Sequence, residues 1–548
     1  MSLQVRPDTS VPEETVQIAR AAFPGGNPYL TLREELGVIY TDDSFSALFA
    51  HRGRPAEAPG CLAMVTLLQF AEGLSDRQAA DAVRGRIDWK YLLGLDLTDP
   101  GFDFSVLSEF RGRLVAGGLE EQLLSQLLTR FKARGVLKHR GRQRTDSTHV
   151  LAAVRALNRL ECVGETLRYT LNALSEVAPQ WVQAHVPVEW YERYKARFEH
   201  YRLPKSQTER QAFGLTVGMD GHLLLSTVYA ADCPRAVRVH PAVEVLRQVW
   251  VQQYYIQGEK VLFRDAQSLP PSERLIRSPY DLEARFSCKR QTEWTGYKVH
   301  LTETCDEDQP HLITHVATTP ATTPDGQMTD VIHRALEKEA LLPCEHLLDS
   351  AYLDAQHIVH SREECGIELV GPVLGDTSWQ ARAQEGFDVS CFAIDWEGQK
   401  VTCPQGKSSR IWSESHDAFD NPVIHVRFSK ADCQACCCRE KCTRGKGPRT
   451  LHLRSQPQHD ALQQARQQQT SSEFLQRYKA RAGIEATLSQ GTRAFGMRRT
   501  RYLGLAKTHL QHLVIAAAVN LARYVAWVTE TPIAKTRTST FATLAPAA

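Results

Sequence analysis

The strongest constraint on the fold of this 548-residue chain is a change of side-chain pattern in its second half. Residues 371–465 lose the three- and four-residue spacing of apolar side chains that marks helices. They carry Trp, Cys, Gly and Pro, with short strand-like pieces such as PVIHVRFS. Helical patterns dominate the segment that follows. We therefore predict a β-rich, cysteine-bearing insertion over 371–465.

Length and composition limit the class of protein. The chain is roughly three to four times as long as an ordinary domain of ~150 residues, so several domains are expected. Apolar residues make up 42% and charged residues 23%, which excludes a chain dominated by disorder, collagen repeats or coiled coil. With 65 Lys and Arg against 63 Asp and Glu, any contact with nucleic acid must come from local basic patches.

Neither a membrane span nor a secretory signal is expected. The longest apolar run, Leu510 to Val528, is interrupted by Gln511, His512 and Arg523, so it predicts a buried helix. The opening residues, MSLQVRPDTSVPEE, lack an apolar signal region. We expect a cytoplasmic protein without a membrane partner.

Patterning predicts a multidomain α/β protein. Residues 1–130 read as a helical domain, in which GLSDRQAADAV fits either the first half of a DNA-binding helix-turn-helix or an ordinary bundle helix. Residues 131–370 carry a strand ending at Asp146 and a helical insertion at about 156–205. Further strands are expected at Phe213–Tyr229 and Gly296–Cys305, and a helix at Thr329–Glu339. A helical, basic segment follows at 466–530, and a disordered tail at 531–548.

Three acids stand out against this background. Asp146 and Asp349 fall at predicted strand ends, and Glu485 lies in an otherwise basic helical segment. Hard divalent cations are bound by carboxylates, and a pair of such ions can hold the attacking and leaving oxygens of a phosphoryl transfer. Taken singly, each acid reads more simply as a solvated carboxylate or a helix cap, so only their joint context assigns a function.

That context is a set of short motifs in order: TDST, GYKVHL, LLDSAYLD, YKARAGIE and FGMRRTRYLGL. The set resembles the DDE transposases of bacterial insertion sequences, and the resemblance runs through most of the chain. In the branch with a Tyr-x2-Arg-x3-Glu-x6-Lys signature, Tyr478, Arg481 and Glu485 match, while Thr492 occupies the Lys position and Arg493 follows it. The chain is most similar to the IS-eleven-eighty-two-like group, which shares an LSDR element and a cysteine-bearing insertion.

The resemblance implies an RNase H-like catalytic core, a mixed sheet with helices, in which Asp146, Asp349 and Glu485 bind two Mg²⁺ ions. It implies an enzyme that cuts the ends of its own double-stranded DNA element and joins them to target DNA. A homodimer on DNA, associated with the bacterial nucleoid when bound, is expected. The 135 residues between Asp349 and Glu485 agree with an insertion inside the catalytic domain.

Basic side chains near Glu485 are candidate DNA contacts. Tyr478, Arg481 and Glu485 would share one face of a continuous helix, because they are spaced three and four residues apart. The run that follows interleaves cations with Phe495 and Tyr502, which suits a surface that follows phosphates, although a solvated helix face has the same composition. The predicted DNA contacts are Tyr478, Arg481, Arg493, Arg498, Arg499 and Lys507.

A second candidate site is formed by cysteines, six of which fall between Cys403 and Cys442. The spacing Cys433-x2-Cys436 is typical of a zinc knuckle. Cys403 and Cys442 would complete four thiolate ligands for a structural Zn²⁺, with Cys437 or Cys438 as possible replacements. The alternative is a cluster of reduced thiols without a metal.

Two other functions stay open. A nuclease with the same fold would cut DNA without joining it, and a transposase-derived DNA-binding protein would lack catalysis, although the presence of all three acids argues against the latter. A serine hydrolase is disfavoured. Asp146, Ser147 and His149 are close in sequence, but neighbouring residues on a strand alternate faces and no G-x-S-x-G motif is present.

Overall fold

A computed structural model describes residues 2–3, 10–50, 52–258, 260–383, 386–417, 420–532, 540 and 544. The tail predicted over 531–548 lies outside the described residues except for 531, 532, 540 and 544. Short 3-10 segments occur at Asp42–Leu48, His200–Arg202, Ala266–Ser268, Asp325–Met328, Ser350–Tyr352, Val389–Cys391 and Ala480–Ala482.

The amino-terminal part is helical, as predicted. Its helices are α1 (Glu13–Ala22), α2 (Pro28–Leu36), α3 (Pro59–Ala71), α4 (Asp76–Gly85), α5 (Ile87–Leu93), α6 (Ser105–Gly117) and α7 (Gln122–Ala133). Helix α4 begins at a capping box in which Ser75 and Gln78 satisfy each other's backbone amides. Leu107, Phe110 and Phe131 are fully buried between these helices.

Strand β1 (Arg142–Leu151) is followed by a second helical region with its own apolar core. It comprises α8 (Arg159–Val177), α9 (Pro179–His185), α10 (Val188–Tyr194), α11 (Gln207–Val228), α12 (Arg235–Arg238), α13 (Pro241–Gln253) and the hairpin β2 (Tyr254–Gln257) and β3 (Lys260–Phe263). Helices therefore continue to Gln253, well beyond the predicted end of the helical insertion at about 205.

The strand predicted over Phe213–Tyr229 is wrong, because α11 continues to Val228 and Tyr229 is its C-cap. The β-branched residues of this segment favour a strand, but the positions of its glycines determine the structure. A Cβ atom on Gly218 would lie 2.4 Å from the ring of Tyr254, and one on Gly221 would lie 2.0 Å from that of Trp250. The glycines thus form a helical face on which aromatic rings pack, and this tertiary packing overrides local β propensity.

The central sheet is mixed. After β1 come β4 (Arg285–Lys289), β5 (Thr292–Thr304), β6 (Ile313–Pro320), α14 (Thr329–Lys338), β7 (Glu345–Leu347), α15 (Ala355–Cys365) and β8 (Glu368–Val370). The strand order is β4-β5-β1-β7-β8, with β6 also paired to β5. Strand β1 runs antiparallel to β5 and parallel to β7, which runs parallel to β8. This mixed α/β architecture is consistent with the predicted RNase H-like core. The predicted strand at Gly296–Cys305 and helix at Thr329–Glu339 are confirmed by β5 and α14.

The predicted insertion contains short β-strands around a small core. Its elements are α16 (Trp379–Arg382), β9 (Ala393–Asp395), β10 (Lys400–Thr402), β11 (Ile411–His416), β12 (Pro422–Arg427), α17 (Lys430–Gln434), α18 (Arg439–Cys442) and β13 (Thr450–Leu453). β9 pairs with β10, and β11, β12 and β13 form an antiparallel sheet. Phe392, Val401, Val426 and Leu451 are buried between them.

The chain then returns to the central sheet through α19 (Gln456–Gln468), α20 (Ser472–Lys479), α21 (Gly483–Phe495) and α22 (Leu505–Val528). Helix α22 is buried, and its Asn520 side chain bonds both the amide and the carbonyl of Ile313 on β6, at 2.7 and 2.8 Å. The predicted buried helix is confirmed. Among the described residues, no helix combines the length and the apolar character that crossing a membrane requires.

Candidate active site

Asp146 and Asp349 are brought together by the parallel pairing of two strands. The last residue pair of β1 and β7 is Arg144 with Leu347, so each aspartate follows that pair by two residues. Asp146 lies in the middle of β1, which continues to Leu151, so the prediction that it ends a strand is wrong. Asp349 follows β7 and caps a 3-10 turn by accepting a 2.7 Å hydrogen bond from the Ser350 amide.

Glu485 comes from the first turn of α21. Tyr478, Arg481 and Glu485 do not lie on one continuous helix, so the condition for their sharing a helical face is not met. Tyr478 ends α20, Arg481 lies in the 3-10 turn at Ala480–Ala482, and α21 begins at Gly483. Arg481 and Glu485 nevertheless remain in contact, with 3.6 Å between Nη1 and Oε1.

One guanidinium joins the three acids. Nη2 of Arg481 lies 2.8 Å from Oδ2 of Asp146 and 3.9 Å from Oδ2 of Asp349. The Nε atom of Arg481 is buried and has no hydrogen-bond partner among the described residues. Burial raises the pKa of Asp146, the charge of Arg481 opposes that rise, and the carboxylate of Asp349 adds to it. The acids therefore form one electrostatic cluster around a single cation.

A cavity of about 370 Å³ extends from the acids along α21. It is lined by Asp146, Ser147, Thr148, Glu485, Leu488, Ser489, Thr492, Arg493 and Arg498. The structure thus brings Arg493 and Arg498 to the same cavity as two of the acids. Thr492, at the signature's Lys position, also lines it. Arg499 and Lys507 are exposed outside this lining, and Tyr478 stacks on Phe474.

The basic segment after α21 is attached to β1. Nε of Arg498 donates a 2.8 Å hydrogen bond to the Thr148 hydroxyl, and the Arg498 carbonyl accepts one from the Leu151 amide. The Thr500 amide in turn donates to the Leu151 carbonyl at 3.0 Å. Residues 498–500 therefore continue the hydrogen bonding of the strand that carries Asp146.

A buried ion network behind the acids was missed by sequence reasoning. Glu303 on β5 is fully buried, and its two oxygens each lie 2.7 Å from a guanidinium, one of Arg144 and one of Arg523. Arg144 also donates to the Ala480 carbonyl at 2.5 Å, next to Arg481. A Cβ atom at Gly483 would lie 2.1 Å from the guanidinium of Arg144, so a larger residue there would displace that side chain. The signal available in the sequence was an acid inside an otherwise apolar strand pattern.

A second missed network supports the Asp349 turn. The Tyr352 hydroxyl lies 2.7 Å from Nδ1 of His300, a residue paired with Ser147 across β1 and β5. Burial lowers the pKa of His300 to about 4, so its ring is neutral at pH 7. The amide of Tyr352 donates to the Asp349 carbonyl at 2.9 Å. These contacts tie the Asp349 turn to the strands beneath it.

The predicted zinc ligands lie around one pocket in the insertion. Cys403, Cys433, Cys436 and Cys442 line a cavity of about 400 Å³, together with the alternative ligand Cys437 but not Cys438. All of these cysteines are free thiols. Burial, with a further contribution from the neighbouring thiols, raises the pKa of Cys442 to about 11, against the effect of Arg449.

Neither site is a closed metal cage. Within the described part of the chain, no group of three or more His, Cys, Asp or Glu side chains is arranged to hold a metal ion as the side chains stand. At the acids, the guanidinium of Arg481 contacts all three carboxylates. The donor chemistry suits a hard cation, and the positive charge that balances these acids here is the protein's own.

Comparison with known families bears on both ends of the chain. Residues 402–525 match a family model described as a transposase DDE domain, and residues 19–113 match a transposase domain, DUF772. The first match includes Glu485 and the four cysteines, and the second covers most of the amino-terminal helices. No curated protein matches the chain. Together the two matches support an insertion-sequence transposase.

Proposed function

We propose that this protein is a transposase that cuts the ends of its own DNA element and joins them to target DNA by metal-assisted phosphoryl transfer. The observation that carries the proposal is the contact of one guanidinium, that of Arg481, with Asp146, Asp349 and Glu485. Asp146 and Glu485, far apart in the sequence, line one cavity together with Arg493 and Arg498. The finer assignment to the IS-eleven-eighty-two-like group is part of this proposal.

Asp146, Asp349 and Glu485 are the residues that would hold two Mg²⁺ ions. Carboxylate oxygens are the ligands this ion prefers, and the cluster already accommodates a positive charge. Bound Mg²⁺ would polarise the scissile phosphate and activate the attacking oxygen. The transfer needs no covalent bond between protein and DNA.

The side chains around the acids have distinct parts in this proposal. Arg493 and Arg498 bind the phosphates that flank the scissile bond, because they line the cavity beside the acids. Arg481 neutralises charge that grows on the reacting phosphate, since its guanidinium is the cation nearest to Asp146. Tyr478, Arg499 and Lys507 contact DNA outside the cavity.

The proposal also covers the domain organisation, the oligomeric state and the location of the protein. Residues 1–130 form a helical DNA-binding domain, residues 131–370 and 466–530 make up the catalytic domain, and residues 371–465 are its insertion. The protein acts on double-stranded DNA as a homodimer in the bacterial cytoplasm, and it associates with the nucleoid when bound.

The insertion is proposed to hold one structural Zn²⁺ through Cys403, Cys433, Cys436 and Cys442. These thiols line one pocket, and the surrounding apolar core is small, so a metal would contribute much of the insertion's stability. The competing possibility, reduced thiols without a metal, predicts no zinc in the purified protein.

The test uses duplex DNA that carries the inverted repeats flanking the gene. Asp146→Asn, Asp349→Asn and Glu485→Gln should each abolish Mg²⁺-dependent cleavage while retaining DNA binding, because each removes one metal-binding charge and leaves the basic surfaces intact. Glu397→Gln, an exposed acid in the insertion, is the matched control and should cleave normally. Near wild-type cleavage by any folded variant of the three acids would contradict the proposal.

Strand transfer separates a transposase from a nuclease with the same fold. Given DNA whose ends are already cut, the wild-type protein should join them to a target plasmid. A protein that cleaves but never joins would be the nuclease. A protein that binds the repeats but does neither would be a transposase-derived DNA-binding protein.

A further inference from the structure

A second basic surface lies in the insertion. It is a groove of about 870 Å³ lined by Lys430, Gln434, Arg439, Glu440, Thr443, Arg444, Gly445 and Lys446, called here the insertion groove. Its lining contains four cations and one acid and no large apolar side chain. Residues 427–449 as a whole carry seven Lys or Arg against two acids, although the entire chain has a net charge of only +2. Positive charge is therefore concentrated here.

The cations of the groove form no ion pair with a described residue. Across the described ranges of the chain, none of the groove's Lys or Arg side chains lies within 4.0 Å of a carboxylate oxygen. This differs from the acid cluster, where Arg481 contacts three carboxylates. Lys430, Arg444 and Lys446 are exposed, so a polyanion can reach their charges.

Hydrogen bonds also fix the conformation of one loop of the groove. Nη2 of Arg439 donates to the carbonyls of Gly445 and Gly447, at 2.6 and 3.1 Å, which fixes the loop that carries Arg444 and Lys446. The guanidinium of Arg444 stacks over Trp379, 4.2 Å from the ring centre. Cations on a fixed loop lose less conformational entropy on binding than cations on a mobile one.

We propose that the insertion groove binds the phosphate backbone of duplex DNA as a contact surface separate from the acid-lined cavity. The inference rests on the proposed function, which supplies DNA as the partner. Phosphate contacts by Lys and Arg release counterions and carry no sequence information, so the groove adds affinity and leaves the choice of element end to other contacts. The lack of large apolar residues in its lining distinguishes it from a surface that inserts into lipid.

The experiment compares two full-length triple variants. Lys430→Gln/Arg444→Gln/Lys446→Gln removes the exposed cations of the groove. Lys205→Gln/Arg235→Gln/Lys260→Gln removes three exposed cations of the second helical region and is the matched control. Binding to element-end and unrelated 30-base-pair duplexes is measured between 50 and 300 mM salt, without Mg²⁺ so that no cleavage occurs.

For the groove variant, the slope of log affinity against log salt should flatten by about 0.9 for each phosphate that is no longer neutralised, up to about 2.7 for three phosphates. Affinity should fall by the same factor on both duplexes, and the control should match the wild type. A slope equal to that of the wild type would overturn the inference, as would a weakening confined to one of the duplexes. Binding to vesicles containing anionic lipid is measured in the same way. If the groove variant binds these vesicles more weakly than the wild type but binds both duplexes equally well, the inference is overturned in favour of a membrane.

Single variants keep the test valid if the triple variant misfolds. Lys430→Gln and Lys446→Gln change exposed side chains, and each should flatten the slope by at most about 0.9. If the wild-type protein binds and cleaves element ends while every groove variant keeps its slope, the inference fails and the proposed function stands. If the wild-type protein does not bind DNA at all, both fail.

Discussion

Replacing Glu303 by Gln should loosen the framework that holds the acids together. The carboxylate is fully buried and is shared by Arg144 and Arg523, whose side chains are 5% and 18% exposed. It also accepts a 2.5 Å hydrogen bond from the Thr487 hydroxyl on α21. A glutamine presents an amide group to one of these guanidinium ions, and neither arginine keeps a neutralising charge.

The size of the effect follows from the burial of those charges. Breaking a buried ion pair by removing one partner typically costs about 3–5 kcal/mol, because the remaining charge stays desolvated. Since 1.36 kcal/mol corresponds to a factor of ten, local opening of β1, β5 and the start of α21 should become roughly 10² to 10⁴ times more frequent. Cleavage should fall as well, because Arg144 holds the Ala480 carbonyl beside Arg481.

Amide hydrogen exchange measures this opening segment by segment, which suits a multidomain chain better than a single melting temperature. Exchange should accelerate in β1, β5 and α21, and should be unchanged in the helical region around α8 and α11. Glu244→Gln, which removes an exposed pair with Arg247, is the control and should alter exchange little. An acceleration below tenfold in β5 would refute the reasoning, since it would mean that the two arginines need no buried partner.

Three further predictions concern other parts of the molecule. Arg481→Ala should reduce the single-turnover cleavage rate more than DNA affinity, whereas Arg499→Ala should mainly weaken DNA binding and its salt dependence. Equal effects of the two variants on the cleavage rate at saturating protein would contradict this difference. Metal analysis should find about one zinc per chain, and a protein free of zinc would exclude the site. A chelator should loosen the insertion first, because structural zinc contributes roughly 10 kcal/mol or more of folding free energy. Acid should destabilise the protein between about pH 6.5 and 3, because burial lowers the pKa of three histidines that must be neutral when folded, and a flat stability profile over that range would refute this. Those histidines are His300 and His315, with pKa values of about 4, and His512, with a pKa of about 3.

The sequence predicted elements whose pattern is local. The strand at Gly296–Cys305, the helix at Thr329–Glu339 and the buried helix at the carboxyl end are confirmed, because each has a clear apolar period. The local pattern of α11 favours a strand, because it does not reveal that the glycines pack on the rings of residues 250 and 254. The break between α20 and α21 was missed for a similar reason. The turn at Ala480 is stabilised by Arg144, 336 residues away.

The candidate site, too, is only partly predictable from the sequence. Motif order singled out Asp146, Asp349 and Glu485, but only the pairing of β1 with β7 explains why the two aspartates are neighbours. The contact of Arg481 with Glu485 followed from four-residue spacing, whereas its contacts with the other two acids did not. The sequence does not reveal the network of Glu303, Arg144 and Arg523, because Glu303 is 159 and 220 residues from the two arginines and contacts them only in the folded chain.

The attachment of residues 498–500 to β1 has a mechanical consequence. Thr148 and Leu151, which bond this basic segment, lie two and five residues along the same strand from Asp146. Arg498, proposed to bind a DNA phosphate, and Asp146, proposed to bind a metal ion, are therefore held by one β-strand, which fixes the spacing between them.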